Sequence, residues 1–258
     1  PYPDPPFELP PPAGLTLHVS LGKLLSEGRT GMIFECECTI PHGNKMGYKI
    51  PPVVIKIARQ FHTKDISREA TAYESMTCLQ GSAIPRCYGF FQARFVFSFE
   101  SHISVDTDIL CRNRLFDYFD FGPMSILIIE KLGGLLELGE PLPNGAEYVF
   151  GVYLTLNIFD PFNIRSDLTD ACSDLAHLRI HHGDLRWENI LSVLVPNEGG
   201  LPGVPSPFTG KVYGWRLVDF DLATRTARDF PRAHSYYYNH LRRVLRCIPM
   251  GIAVQPWE

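Results

Sequence analysis

The 258-residue chain has no apolar run approaching the roughly 20 residues that a membrane-crossing helix needs, and its start lacks the basic and apolar regions of a signal peptide. No membrane partner is expected. It has no surplus of positive charge either: 24 Lys and Arg face 28 acidic residues for a net charge of −4, which gives no long-range attraction to nucleic acid or to an anionic lipid surface. It has no Cys-x-x-Cys pair and no internal repeat. The cysteines, Cys36, Cys38, Cys78, Cys87, Cys111, Cys172 and Cys247, are odd in number and scattered, which fits a reduced, intracellular setting, cytoplasmic or nuclear, better than a disulfide framework. Cys36 and Cys38 would share one face of a strand, where they read as small strand residues before they read as a soft metal site. The chain opens on Pro1 rather than Met, so a trimmed or processed segment, with any targeting signal, is expected ahead of it.

What is present is 45% apolar composition, enough for one good core or for two modest lobes around a cleft. Residues 1–14 carry Pro1, Pro3, Pro5, Pro6, Pro10, Pro11 and Pro12 and predict an extended tail, a linker or a docking segment for a proline-reading partner. Alternation then begins, with Leu15, Leu17 and Val19, with Met32, Phe34 and Cys36, and with Val53, Ile55 and Ile57, each run bounded by Gly, Pro or Asn. From Lys64 to Leu79 the apolar residues Ile66, Ala70, Tyr73, Met76 and Leu79 recur at helical spacing. Phe90–Phe97 and Ser125–Leu132 add two strands around a polar insert near Ser101–Asn113. After Gly133 and Gly134 the pattern turns helical, at Ser166–Ile180 and again at Ala233–Cys247. Short strands at Ile190–Val195 and Arg216–Val218 flank a Pro/Gly-rich surface loop at 196–210.

Chemistry is carried by a few segments. Leu25-Ser26-Glu27-Gly28-Arg29-Thr30-Gly31-Met32-Ile33 joins two strands through small residues, either as an ordinary hairpin turn with Gly28 and Gly31 at positive φ or as a loop whose N–H groups approach phosphate oxygens. Val53-Val54-Ile55-Lys56-Ile57 sets one ammonium in an apolar frame. Lys56 either snorkels from a strand edge or pairs with nucleotide phosphates while a helix carboxylate holds it. Glu69, one turn before Tyr73, is preferred to Glu74 for that role. The most informative segment is His181-His182-Gly183-Asp184-Leu185-Arg186-Trp187-Glu188-Asn189. There Asp184 can orient an acceptor hydroxyl or take its proton, Arg186 can neutralise charge on a migrating phosphoryl group, and Asn189 can give an oxygen to a metal bridging phosphates. Asp219, in Leu217-Val218-Asp219-Phe220-Asp221, lies just past a strand, where a second magnesium ligand is required.

These segments, in this order, resemble the protein-kinase-like superfamily, especially the compact kinase-like proteins abundant in fungi. The His-Gly-Asp loop is also similar to that of aminoglycoside and choline phosphotransferases. The resemblance covers roughly residues 15–247. It implies an α+β, bilobal kinase-like fold: an N-lobe at 15–132 with a five-stranded antiparallel sheet and one helix, and a mainly helical, shortened C-lobe at 133–258. It also implies an ATP cleft between the lobes, with Leu25, Ile33 and Val54 above the adenine, Glu130, Lys131 and Leu132 as hinge and Ile129 as gatekeeper. The implied activity is ATP- and Mg2+-dependent transfer of the γ-phosphoryl group to a hydroxyl of a protein or small molecule.

The departures are specific. Ser26 stands in place of the first glycine of the phosphate loop, Gly183 in place of an arginine that answers an activation-loop phosphate, and Asp221 in place of the glycine after Asp219-Phe220. Phosphorylation-dependent activation is therefore not expected. Asp221 adds an acid near the metals. No Ala-Pro-Glu follows, and residues 222–258 leave little room for a peptide platform. The alternative reading is a pseudokinase, a nucleotide-binding or protein-interaction module. The aromatic and acidic stretch Phe116-Asp117-Tyr118-Phe119-Asp120-Phe121 and the run Tyr236, Tyr237, Tyr238 read as packing residues.

Overall fold

The computed structural model describes residues 18–39, 50–59, 61–93, 124–140 and 164–255. The proline-rich tail, Leu15 and Leu17, the insert at 101–113 with Cys111, and the Phe116–Phe121 stretch lie outside them. Among the described residues the chain is mixed α and β, with a five-stranded antiparallel sheet, two short two-stranded ladders and three α-helices. It divides into two compact units, one holding the chain to Thr71 together with Cys87–Lys131, the other holding Ala72–Arg86 and the chain from Leu132.

The first unit is built on β1 (His18–Glu27), β2 (Gly31–Thr39), β3 (Val53–Ala58), β4 (Cys87–Ala93) and β5 (Met124–Glu130), in the spatial order β1-β2-β3-β5-β4. Every residue of β3 is buried, as a central strand covered on both faces requires. Because directly paired residues share a face, the register sorts the side chains into two sets. Met32, Phe34, Val53, Ile55, Ile57 and Ile128 form an apolar core with Val19, Leu21 and Leu24 packed against it. Cys36 and Cys38 pack on the same cluster. The Cys36 thiol donates to the Val53 carbonyl at 3.4 Å, and burial pushes its pKa up to about 12, so these are small strand residues with their protons on.

Helix α1 (Thr63–Ser75) buries Ile66, Ala72 and Tyr73, and the periodic pattern expected to Leu79 continues after Ser75 as a 3-10 turn at Thr77–Leu79. In the second unit, α2 (Ile164–His177) buries Ile164, Leu168, Ala171, Cys172 and Leu175. It stops short of the expected Ile180 because Arg179 takes a left-handed φ of 55° and Ile180 enters β6 (Ile180–His181). The ladder of β7 (Ile190–Ser192) and β8 (Trp215–Leu217) follows, then β9 (Thr224–Arg225), which pairs with β6. Helix α3 (Phe230–Cys247) begins three residues before the expected Ala233. The Asp229 side chain accepts the Arg232 N–H at 3.2 Å, and Pro231 sits in the first turn, where its missing N–H costs nothing.

The stretch at 196–210 is better anchored than a surface loop. Arg86 donates to the Pro202 carbonyl at 2.6 Å, the Val204 N–H donates to Gly81, and Ser206 is buried with its hydroxyl accepting from the Phe208 and Thr209 N–H groups. Asp167 and Asp174 of α2 hold the far end of this stretch, through the Gly214 N–H at 2.6 Å and the Tyr213 hydroxyl at 3.0 Å. The buried Arg216 guanidinium donates to the carbonyls of Tyr213, Trp215 and Gly81, joining the chain after this stretch to the turn at Gly81.

Candidate functional site

Two polar centres stand out, one in each unit. In the first, Lys56 lies at the middle of the sheet, only 4% exposed, and its Nζ meets Glu69 Oε2 at 2.7 Å; Glu69 is 1% exposed. A lysine snorkelling from a strand edge would look otherwise. Glu74, the other helix carboxylate weighed for this partnership, is exposed. Ile33 and Leu127 pair directly with Lys56, and Ile129 pairs with Val54, so Ile33, Val54, Lys56 and Ile129 all belong to the face opposite the apolar core. Leu25 stands in a bulge of β1 between Leu24 and Ser26 and is 45% exposed. Glu130 pairs with Val53 on the core face and is buried, so any ligand contact from that face would involve its main chain. Leu132 is buried and belongs to the second unit.

The turn at 28–31 differs from the hairpin reading of its glycines, because neither Gly28 nor Gly31 has a positive φ. A Cβ on Gly31 would come within 2.6 Å of the Ile57 carbonyl oxygen, so close approach of β3 requires that glycine. The Gly28 N–H donates to the Gly31 carbonyl at 2.9 Å and is committed within the turn.

In the second unit the β7–β8 ladder brings two distant residues together. Asn189 ends a 3-10 turn just before β7, Asp219 lies two residues past β8, and the Val218 N–H donates to the Asn189 carbonyl at 3.1 Å. Asp219 has a φ of 67°, a left-handed conformation that a non-glycine residue adopts at a cost and that recurs at functional sites. The amide nitrogen of Asn189 donates to both the main-chain oxygen of Asp184 (2.8 Å) and its Oδ2 (3.2 Å), which leaves Oδ1 as the remaining polar atom of Asn189.

The loop before Asp184 is fixed on several sides. His182 is buried, its Nε2–H donating to the Val218 carbonyl at 3.0 Å while Nδ1 accepts the Asp184 N–H at 3.3 Å, so one neutral tautomer serves both bonds. Burial holds its pKa down at about 4. Its ring lies 4.6 Å from Phe220, which meets Tyr73 edge-on at 5.4 Å, giving a column of three rings. Gly183 has a φ of 82°, and a Cβ there would fall 2.4 Å from the Leu222 carbonyl oxygen. An arginine cannot occupy this position without displacing the chain, which gives the departure at 183 a steric cause. The Tyr237 hydroxyl accepts the His182 N–H at 2.9 Å and donates to the Ile180 carbonyl at 2.8 Å, and His240 Nε2–H donates to the Leu185 carbonyl at 2.6 Å.

In the second centre burial is the largest influence on the charge of Asp184. Asp184 is 7% exposed, and its pKa is raised by burial first and then by the charges of Asp219 and Asp221, against the lowering effects of Arg186 and the Asn189 amide. Arg186 Nε lies 3.2 Å from Asp184 Oδ2 and 3.4 Å from Glu188 Oε2, distances of ion pairs whose angles fall short of hydrogen bonds. Asn189 Oδ1 and the Asp219 carboxylate are the oxygens of this centre that could serve a cation. Among the described residues no group of three or more His, Cys, Asp or Glu could hold a metal by itself, so a cation here would need further oxygens from a ligand or water. By sequence His182 was only a member of the loop segment and Tyr237 a packing residue, and His240 carried no signal. Their roles depend on ring nitrogens and a hydroxyl meeting main-chain atoms far away in the chain, which no spacing announces.

No protein-family model and no curated protein matches the chain. Among the described residues no helix is long and apolar enough to cross a membrane.

Proposed function

We propose that the chain is an ATP- and Mg2+-dependent phosphotransferase whose two units correspond to the lobes of a protein-kinase-like fold. The observation that carries the reading is the junction of Asp184, Asn189 and Asp219 through the Val218–Asn189 hydrogen bond, with the Asp184 pKa raised by burial first and then by the charges of Asp219 and Asp221. Bound Mg2+ would neutralise the phosphate oxygens and the acids facing it. Asp184 orients the acceptor hydroxyl and takes its proton as the acceptor oxygen bonds to the γ-phosphorus and the bond to the departing ADP oxygen breaks. Arg186 offsets charge on the moving phosphoryl group. Lys56, fixed by Glu69, is assigned to the phosphates, and Ile33, Val54 and Ile129 to the adenine. The acceptor is a protein or a small molecule, and the odd cysteine count supports an intracellular, reducing setting.

The second reading, a nucleotide-binding module without turnover, draws support from the Gly28 N–H, which is spent on Gly31 rather than offered to phosphate. The deciding experiment uses labelled ATP with Mg2+ and a panel of peptides, sugars, cholines and aminoglycosides. Transfer is expected, reduced about 10²- to 10⁴-fold in Asp184→Asn while nucleotide binding persists. Binding without transfer in the unaltered chain favours the module. Transfer undiminished in Asp184→Asn overturns the assignment of Asp184.

A further inference from the structure

The second unit carries a cluster of one guanidinium and two imidazoles for which the proposed transfer has no use. His181, in β6, precedes the loop that leads to Asp184, and its ring centroid lies 5.0 Å from that of Tyr236, tilted by 54°. Tyr236 stacks on His240 at 6.2 Å and 6°, and the Arg228 guanidinium carbon sits 5.0 Å from the Tyr236 centroid. One phenol ring thus gathers two imidazoles and a guanidinium, the last held by a cation–π contact.

Arg228 is exposed, touching the Tyr236 ring and donating its main-chain N–H to the Thr226 hydroxyl, and no carboxylate among the described residues lies within ion-pair distance of it. The neighbouring Asp229 is turned to the start of α3, where it caps the Arg232 N–H. The pKa of His181 is lowered by burial, then by Arg228, then by His240, with no acid opposing them. His240 uses Nε2 on the Leu185 carbonyl and keeps Nδ1 for another partner. One guanidinium and two imidazoles thus meet on a single ring, beside the main chain of the residue that follows Asp184.

We propose that Arg228, His181 and His240, arranged about Tyr236, bind a phosphate-type oxyanion borne by the acceptor molecule. A guanidinium fork and two imidazoles supply directional N–H donors, and a dianion offers enough acceptor oxygens to engage all of them. The hydrogen bond from His240 to Leu185 would register the bound anion against the reactive loop. That the anion belongs to an acceptor rests on the phosphotransferase reading; the anion site itself does not.

The test follows the histidine ring resonances of the full chain by NMR as inorganic phosphate is titrated in at slightly acidic pH, with chloride keeping ionic strength constant. Saturable movement of the His181 and His240 signals is expected, with affinity reduced about tenfold in Arg228→Ala and kept in Arg242→Ala, which removes an exposed arginine on another face of α3. No saturable movement, or equal weakening by the two substitutions, overturns the site. Phosphoserine, a simple phosphomonoester, is expected to bind at least as well as inorganic phosphate, and its exclusion overturns the assignment to an acceptor. None of these readouts needs ATP or Mg2+, and Asp184→Asn is expected to leave them unchanged, so failure of transfer and failure of the anion site are separately visible.

Discussion

The two polar centres handle buried charge in opposite ways. In the sheet unit, Lys56 and Glu69 meet at 2.7 Å as an ion pair closed off from solvent, 4% and 1% exposed. In the helical unit, burial first and then the charges of Asp219 and Asp221 raise the pKa of Asp184, against the lowering effects of Arg186 and the Asn189 amide. The first centre sets a cation against an anion, whereas the second disfavours the charged form of its buried carboxylate, a perturbation found at functional sites and in structural networks alike.

Lys56→Met should break the closed pair with the largest effect. It strands a buried carboxylate and is expected to cost about 3–5 kcal/mol in urea unfolding, while the double change Lys56→Met/Glu69→Leu recovers most of that. A single-variant cost below about 1 kcal/mol would show that the pair is not closed.

Gly183→Ala tests the scaffold under the open centre. The left-handed backbone and the crowding against Leu222 predict a loss of about 2 kcal/mol, whereas Gly134→Ala, with nothing within 4 Å of the added carbon, should change little. Equal effects of the two would remove the steric explanation for glycine at 183.

The smallest effect, and of opposite sign, belongs to Asp184→Asn in the absence of nucleotide and metal. A raised pKa means that the aspartate favours the fold most when protonated, below the ordinary carboxylate range, and that this contribution is lost as pH rises through the raised value. The asparagine variant should therefore be more stable at neutral pH by about 1 kcal/mol, with the gain fading toward acid pH in thermal melts. A neutral-pH melt no higher than that of the unaltered chain would argue that the acids are not in conflict.

Much of this comparison was legible in the sequence because it rests on local pattern. Period-two alternation gave β2 and β3, helical spacing gave α1, and the position of Glu69 one turn before Tyr73 gave the partner of Lys56. The spacing of Asp184 and Asn189 gave half of the open centre, and Asp221 was visible as an extra acid. What escaped was set by contacts across long stretches of chain. β6 and β9 are two residues each and carry no periodicity, yet their pairing orders the chain on both sides of Asp219. The glycines at 28, 31 and 183 were read by type, whereas their reasons differ: close strand approach at 31, positive φ and crowding at 183, and no comparable demand at 28. The start of α3 could have been found sooner, since Asp229 and Pro231 are both helix-start signals.

Helix α3 contributes no atom to the proposed transfer chemistry, yet Tyr237 and His240, about one turn apart on it, grip main-chain atoms of residues 180, 182 and 185. Asp184 lies between those grips. The helix thus works as a handle on the carboxylate: whatever presses on, shortens or swivels it would shift the reactive oxygens while leaving their own neighbours chemically intact.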